Sequence, residues 1–220
     1  VRETCRRCLR PTGFCVCEHL PRLAARTRVV ILQHPREARL AICSAWLCHA
    51  ALPGSELLQG VRFDEHPRVQ ALCAEPGTWL LFPGEGAAPA GSLAAQPPRT
   101  LLVLDSTWPQ AVKLLRKNPR LAALPRLAIA PGTAAPSGYA GLRQEPAEGH
   151  LATIDAVAEA LGALEGDPAR FAPMRTAFRL AVERQLACSQ DGRRNPRHRP
   201  GAAPSQPTGH DPGAPRAPRA

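Results

Sequence analysis

Residues 101–117 read LLVLDSTWPQAVKLLRK, and the fold follows from where this stretch changes period. Leu101–Leu104 is an unbroken apolar run too short for a helix, the pattern of a strand covered on both faces. It gives way to Asp105. Thr107 then stands as an N-cap, with Pro109 in the first turn and Gln110 at the reciprocal capping-box position, so a helix begins at about residue 108. Ala111, Leu114 and Leu115 share one side of it while Lys113, Arg116 and Lys117 project elsewhere, and Asn118-Pro119 ends it.

The same alternation continues outward in both directions. Upstream, TRVVILQ at 27–33 reads as a buried strand closed by His34-Pro35, and Glu37 to Leu52 predicts a helix with Leu40, Cys43, Leu47 and Ala51 on one face. Trp79–Phe82 is another short buried strand and runs into Pro83-Gly84-Glu85-Gly86. Downstream, Leu127–Ala130 is a candidate strand, followed by a Gly- and Pro-rich loop from 131 to 150. Two helices follow: about Thr153 to Leu164, and about Pro168 to Ala187 with Phe171, Met174, Phe178 and Val182 as its core stripe. Strands alternating with helices predict an α/β fold with a mainly parallel sheet. In such sheets ligands sit beyond the carboxyl ends of the strands, so the loops at 83–86, 105–109 and 131–146 are the expected site.

Charge adds a partner class. The 220 residues carry 28 Lys plus Arg against 18 Asp plus Glu, a net +10 that favours a polyanion. Four of those charges lie in a Pro-, Gly-, Arg- and Ala-rich tail, 189–220, whose composition predicts disorder. The rest is uneven: residues 1–40 hold nine Arg and three Glu, and no acid occurs between Asp105 and Glu145. Two basic blocks flanking a neutral body suit a phosphate-tracking face, although a solvated surface in an Arg-rich chain gives the same pattern. No apolar run approaches the roughly 20 residues of a membrane span and no secretory leader is seen, which predicts a cytoplasmic protein without membrane contact.

Cys5, Cys8, Cys15 and Cys17 form C-x2-C-x6-C-x-C in a segment, residues 1–22, with too little apolar content to hold itself by burial. Four thiolates at this spacing can converge on a tetrahedral ion, so a structural zinc module is expected, with an iron–sulfur cluster, redox thiols or disulfides as the other readings. Cys43, Cys48, Cys73 and Cys188 read as small core residues.

Asp105, after a strand and before a helix N-terminus, is either a charge that helps start the helix or a carboxylate that binds an ammonium or accepts a proton. Trp108 is either core or a stacking platform for a base. His34 reads more readily as a hydrogen-bonded loop histidine than as a catalyst. The chain lacks a phosphate-binding P-loop, a G-x-S-x-G elbow, an H-E-x-x-H pair and a G-x-G-x-x-G turn.

Six blocks occur in order over about residues 4–187: CRRCLRPTGFCVC, TRVVILQHPRE, LLFPGEG, LLVLDSTWPQAVKLLRKNPRL, LRQEP and LATIDAVAEAL. Together they resemble the DTW-domain family, whose Asp-Thr-Trp core stands here as Asp105-Ser106-Thr107-Trp108. The resemblance, taken to the bacterial tRNA-uridine aminocarboxypropyltransferases, implies a SPOUT-like, knotted α/β fold and transfer of the 3-amino-3-carboxypropyl group of S-adenosylmethionine to N3 of a tRNA uridine. In bacteria this is the variable-loop uridine at position 47, and methylthioadenosine is released. Methyl transfer to RNA on the same fold, and a zinc-stabilised RNA-binding module without catalysis, are the alternatives.

On this reading Asp105, Thr107 and Trp108 are the catalytic candidates. The cofactor is expected against Phe82, Pro83, Gly84, Leu104, Asp105 and Thr153, with Arg143 and Glu145 either taking its carboxylate and ammonium or forming a structural ion pair. Arg6, Arg7, Arg10, Lys113, Arg116, Lys117 and Arg120 would hold the tRNA. The chain departs from the family's usual residues at Gly138, Ala152 and Asp155. The expected organisation is a zinc module at 1–22, a catalytic domain at 23–188 and a disordered tail at 189–220.

Overall fold

A computed structural model describes residues 3–7, 12–39, 43–129 and 151–190. Its spine is a set of parallel strands. β1 (Arg28–Gln33), β2 (Glu56–Gln59), β3 (Thr78–Leu81), β4 (Ala88–Pro89), β5 (Thr100–Asp105) and β6 (Arg126–Ala128) form one sheet in the order β2-β1-β5-β3-β6-β4, and every pairing among the described residues is parallel. The helices are α1 (Ser44–Ala51), α2 (Pro67–Ala74), α3 (Trp108–Lys117), α4 (Pro119–Ala122), α5 (Thr153–Glu165) and α6 (Pro168–Gln190).

The unbroken apolar runs are explained by cover on both faces. Val29 and Ile31 of β1 join Leu101 and Val103 of β5 in one core with α1, α5 and α6, while Val30, Leu32 and Leu102 turn to the other face against α2 and α3. On α6, Phe171, Met174, Phe178 and Val182 are buried as their spacing predicts. α5 reaches α6 closely: a Cβ at Gly162 would stand 2.8 Å from the Pro168 Cα, so the crossing needs a residue without a side chain.

Two expectations change. The single helix over 37–52 is instead a 3₁₀ turn at Glu37–Arg39 and α1 from Ser44, with Leu40 outside the described residues. Cys43 has extended backbone, φ −101° and ψ 101°, and serves as N-cap rather than as a helical core residue. The middle of the chain also supplies β2 and α2, which periodicity does not reveal. β2 is a half-exposed edge strand of four residues, and α2 buries only Val69 and Leu72.

The amino-terminal segment is not held by cysteines alone. Val16 and Leu20 are buried in the larger core, and Arg7 donates to the carbonyls of Cys17, Leu20 and Ala50 at 3.1, 3.4 and 3.5 Å. The chain divides into two units, Val1–Leu186 and Ala187–Ala220. In the second, the described residues are the end of α6; the expected tail, from residue 191 on, lies outside them. No helix of the described residues is long and apolar enough to cross a membrane.

Candidate active site

β5 and β3 lie side by side, so the turns leaving their carboxyl ends are neighbours. Asp105 is the last residue of β5 and only 6% exposed. The Thr153 hydroxyl, in the first turn of α5, donates to its Oδ1 at 2.5 Å, and Gln33 Nε2, at the end of β1, donates to Oδ2 at 2.8 Å. A buried carboxylate left unpaired is costly, and here both oxygens accept. Two helix starts also converge on it: α3 begins three residues later, and α5 reaches it through Thr153. The positive ends of both helices favour an anion there.

The first turn of α3 is built as its sequence predicts. Thr107 and Gln110 form the capping box, with Gln110 Oε1 accepting from the Thr107 N–H at 3.0 Å. That box fixes where the next side chain goes. Trp108, 42% exposed, stacks on Phe82 with ring centroids 4.9 Å apart and planes 4° from parallel. The Arg126 guanidinium sits 5.7 Å from the Phe82 ring centre, a cation–π distance. The turn itself, Pro83 and Gly84, is exposed; Gly84 has φ +152°, and a Cβ there would come within 2.9 Å of Arg126 Nη1. Leu104 packs on the α3 side of the sheet, away from Asp105. Beside Asp105, the Ser106 hydroxyl oxygen is buried and has no hydrogen-bond partner among the described residues.

His34 follows β1 and its N–H donates to the Asp105 carbonyl at 2.9 Å. Its Nδ1 accepts from the Arg36 N–H at 3.2 Å, which leaves the proton of the neutral ring on Nε2. Burial lowers its pKa from the usual histidine value, and the charges of Arg36 and then Lys117 add to the effect. Lys113, Arg116, Lys117 and Arg120 are all exposed and make no ion pair with a described residue. Several cations elsewhere are paired: Arg28 with Glu75, Arg68 with Glu56, Arg170 with Glu165. Arg6 is exposed, whereas the Arg7 guanidinium is turned onto backbone carbonyls. Arg10, Arg143, Glu145 and the loop at 131–146 lie outside the described residues.

A second constellation lies in the amino-terminal segment. The Sγ atoms of Cys5, Cys15 and Cys17 lie within 4.8 Å of one another, with Cys5 and Cys17 at 3.5 Å. Tetrahedral thiolates about 2.3 Å from a zinc ion are about 3.8 Å apart, so the spacing fits a shared metal. The Cys17 N–H donates to Cys15 Sγ at 3.4 Å, a bond that suits a thiolate ligand. No disulfide joins the described cysteines, and Cys8 is outside them.

Sequence reasoning missed Gln33. A glutamine at the end of an apolar strand carries no signal until the pairing of β1 with β5 sets it beside Asp105.

Comparison with known proteins agrees with the motif blocks. The DTW domain family matches residues 2–186. A Drosophila melanogaster tRNA-uridine aminocarboxypropyltransferase 2 is 34% identical over 176 residues, covering 76% of this chain and 68% of its own length. The Mus musculus protein of the same name is 33% identical over 173 residues, and the match spans 57% of its length. An Arabidopsis thaliana tRNA-uridine aminocarboxypropyltransferase A is 30% identical over 199 residues, 74% of its length. No solved structure matches. With the match running from the cysteine segment to the end of the core and taking in the strand, turn and helix around Asp105, the chain belongs to the DTW-domain family, alongside the tRNA-uridine aminocarboxypropyltransferases to which it is similar.

Proposed function

We propose that this chain transfers the 3-amino-3-carboxypropyl group of S-adenosylmethionine to N3 of a tRNA uridine. The observation that carries the reading is the carboxylate of Asp105: buried at the carboxyl edge of a parallel sheet, held on both oxygens, and one turn from an aromatic stack. In the reaction the uridine N3–H bond breaks, N3 bonds to the carbon beside the sulfonium, and the carbon–sulfur bond breaks with its electrons retained by sulfur. The products are modified tRNA, methylthioadenosine and a proton. Asp105 serves this step as a fixed negative charge, either taking the N3 proton or gripping the ammonium of the transferred group. Thr107 sets the α3 cap and Trp108 offers its ring to a planar base. The Ser106 hydroxyl, buried without a partner among the described residues, is a group that a bound substrate satisfies.

The same reading assigns the exposed cations of α3 and α4, with Arg6 and Arg10, to the tRNA backbone, and Phe82, Pro83, Gly84, Arg143 and Glu145 to S-adenosylmethionine. It extends to a SPOUT-like, knotted topology, to the variable-loop uridine, and to a zinc ion on Cys5, Cys8, Cys15 and Cys17 that staples residues 1–22. There the ion supplies folding energy and no catalytic step.

The test is to incubate the purified chain with unmodified tRNA and S-adenosylmethionine and to identify the small product by mass spectrometry. Methylthioadenosine supports the proposal. S-adenosylhomocysteine would make the chain a methyltransferase, and tRNA binding without turnover would make it a binding module.

A further inference from the structure

The last rung of the sheet on the α5 side is polar where the rung below it is apolar. Leu57, Ile31 and Val103 pair across β2, β1 and β5; two residues on, the same three strands place Gln59, Gln33 and Asp105 in register. Gln33 is fully buried. Its amide is expensive there, because a leucine would fill the same space without a polar group to satisfy. Its side chain makes three hydrogen bonds: Nε2 donates to Asp105 Oδ2 at 2.8 Å and to Cys43 Sγ, at the N-cap of α1, at 3.0 Å, and Oε1 accepts from Gln59 Nε2, its partner on the same rung, at 3.1 Å. The direction is forced, since a carboxylate accepts and so the amide must present its N–H₂, leaving its carbonyl to the exposed Gln59.

We propose that Gln33 is a positioning residue for Asp105, and that Gln59 and Gln33 form a hydrogen-bonded relay that holds the carboxylate in one orientation for the transfer. The proposal rests on the function assigned above. With Thr153 fixing Oδ1 and Gln33 fixing Oδ2, the carboxyl plane cannot rotate without breaking a bond on one side. Titratable and charged groups on the elements packed here include Cys43 and Cys48 on the α1 side, His34 at the end of β1, and the buried Asp155 in the first turn of α5, paired with Arg175 at 3.6 Å. Burial, with the Asp105 charge adding, keeps both thiols protonated, and the lowered pKa of His34 keeps its ring neutral.

Gln33→Met keeps the length of the side chain and removes its donor; Gln33→Glu keeps the shape and replaces the donor with a carboxyl that donates only while protonated. Both are compared with wild type and Gln59→Met under single turnover, with circular dichroism as the folding check. Gln33→Met is expected to lower kcat about 10- to 100-fold, the loss of one hydrogen bond to a charged group, with tRNA affinity within about twofold. Gln33→Glu, its carboxyl held protonated by burial and by the Asp105 charge, is expected to donate and keep activity at low and neutral pH and to lose it as the pH rises and the side chain ionises; wild type shows no such loss. An unchanged kcat in Gln33→Met, with active wild type, overturns the relay.

If wild type releases no methylthioadenosine, the functional reading fails, and the relay is decided by NMR. The Gln33 side-chain amide should then exchange slowly and shift in both Asp105→Asn and Gln59→Met. An amide that exchanges freely or ignores both substitutions overturns it. Gln59→Met, on the exposed edge, keeps the proposal falsifiable if the buried variants do not fold: an unmoved Gln33 amide would again refute it.

Discussion

Asp105→Asn is the perturbation on which most of the functional reading turns. The substitution keeps the shape of the side chain and removes its charge. Its single oxygen can face Gln33 Nε2, which stood 2.8 Å from Oδ2, and its new N–H₂ then faces the Thr153 hydroxyl, 2.5 Å from Oδ1. A hydroxyl can turn to accept as well as donate, so the Thr153 contact can reverse its direction, while the second amide N–H and the hydroxyl proton need new partners. The fold should survive, at a cost of about 1–3 kcal/mol. Catalysis should not survive: a positioned proton acceptor contributes about 10²- to 10⁴-fold, and an electrostatic partner of the reacting group about 10²- to 10³-fold. Turnover is followed as methylthioadenosine released at saturating tRNA, with Tm and tRNA binding measured on the same samples. A loss confined to kcat marks Asp105 as the group acting on N3, whereas a rise in KM for S-adenosylmethionine marks it as the ammonium partner. Turnover within about threefold of wild type, with the fold intact, would refute any role for the charge.

Other perturbations test separate parts of the structure. Arg116→Glu with Lys117→Glu should weaken binding to every tRNA alike and reduce the slope of log K against log salt by about 1.4–1.8, the share of two phosphate contacts; an unaltered slope removes α3 from the RNA face. Cys17→Ser should cost the purified chain its bound zinc, read by metal analysis, and lower Tm; wild type without stoichiometric metal would sink the zinc assignment. The Cys43 thiol, pushed up to about 11 by burial, should resist alkylation at pH 8 and react as the pH approaches 11, followed site by site by mass spectrometry. Because its folded pKa lies above the unfolded value, the stability it contributes is present below about pH 9 and is lost as pH rises through 11. Gly162→Ala should destabilise by about 1–3 kcal/mol, since the new methyl meets the Pro168 backbone, and a Tm within a degree of wild type would contradict the close α5–α6 crossing.

Much of the architecture was legible in local pattern. β1, β3 and β5 show as short apolar runs because both faces of the sheet are covered, and α3 is announced by its capping box before any packing is known. α5 and α6 follow from their buried stripes. β2 and α2 were not legible, since an edge strand exposing half its surface and a helix burying two residues carry little periodicity. The interruption before α1 was hidden for a different reason: Cys43 keeps the apolar spacing of a helix while its backbone is extended, so periodicity runs on where the helix does not.

The candidate site divides along the same line. Asp105, Thr107 and Trp108 stand together in the chain, and the strand-to-helix switch around them marks the place from sequence alone. The cysteine spacing does the same for Cys5, Cys15 and Cys17, which the structure gathers within 4.8 Å. The partners that hold Asp105 could not be read this way. Gln33 is 72 residues distant and Thr153 is 48, and each reaches the carboxylate only through the packing of its own element. Local sequence determines period, caps and turns because these depend on residues within a few positions of each other. Which strand lies beside which, and in what register, depends on the burial of the whole sheet, so the tertiary structure alone decided that Asp105 is a held carboxylate and not a helix-starting charge open to water.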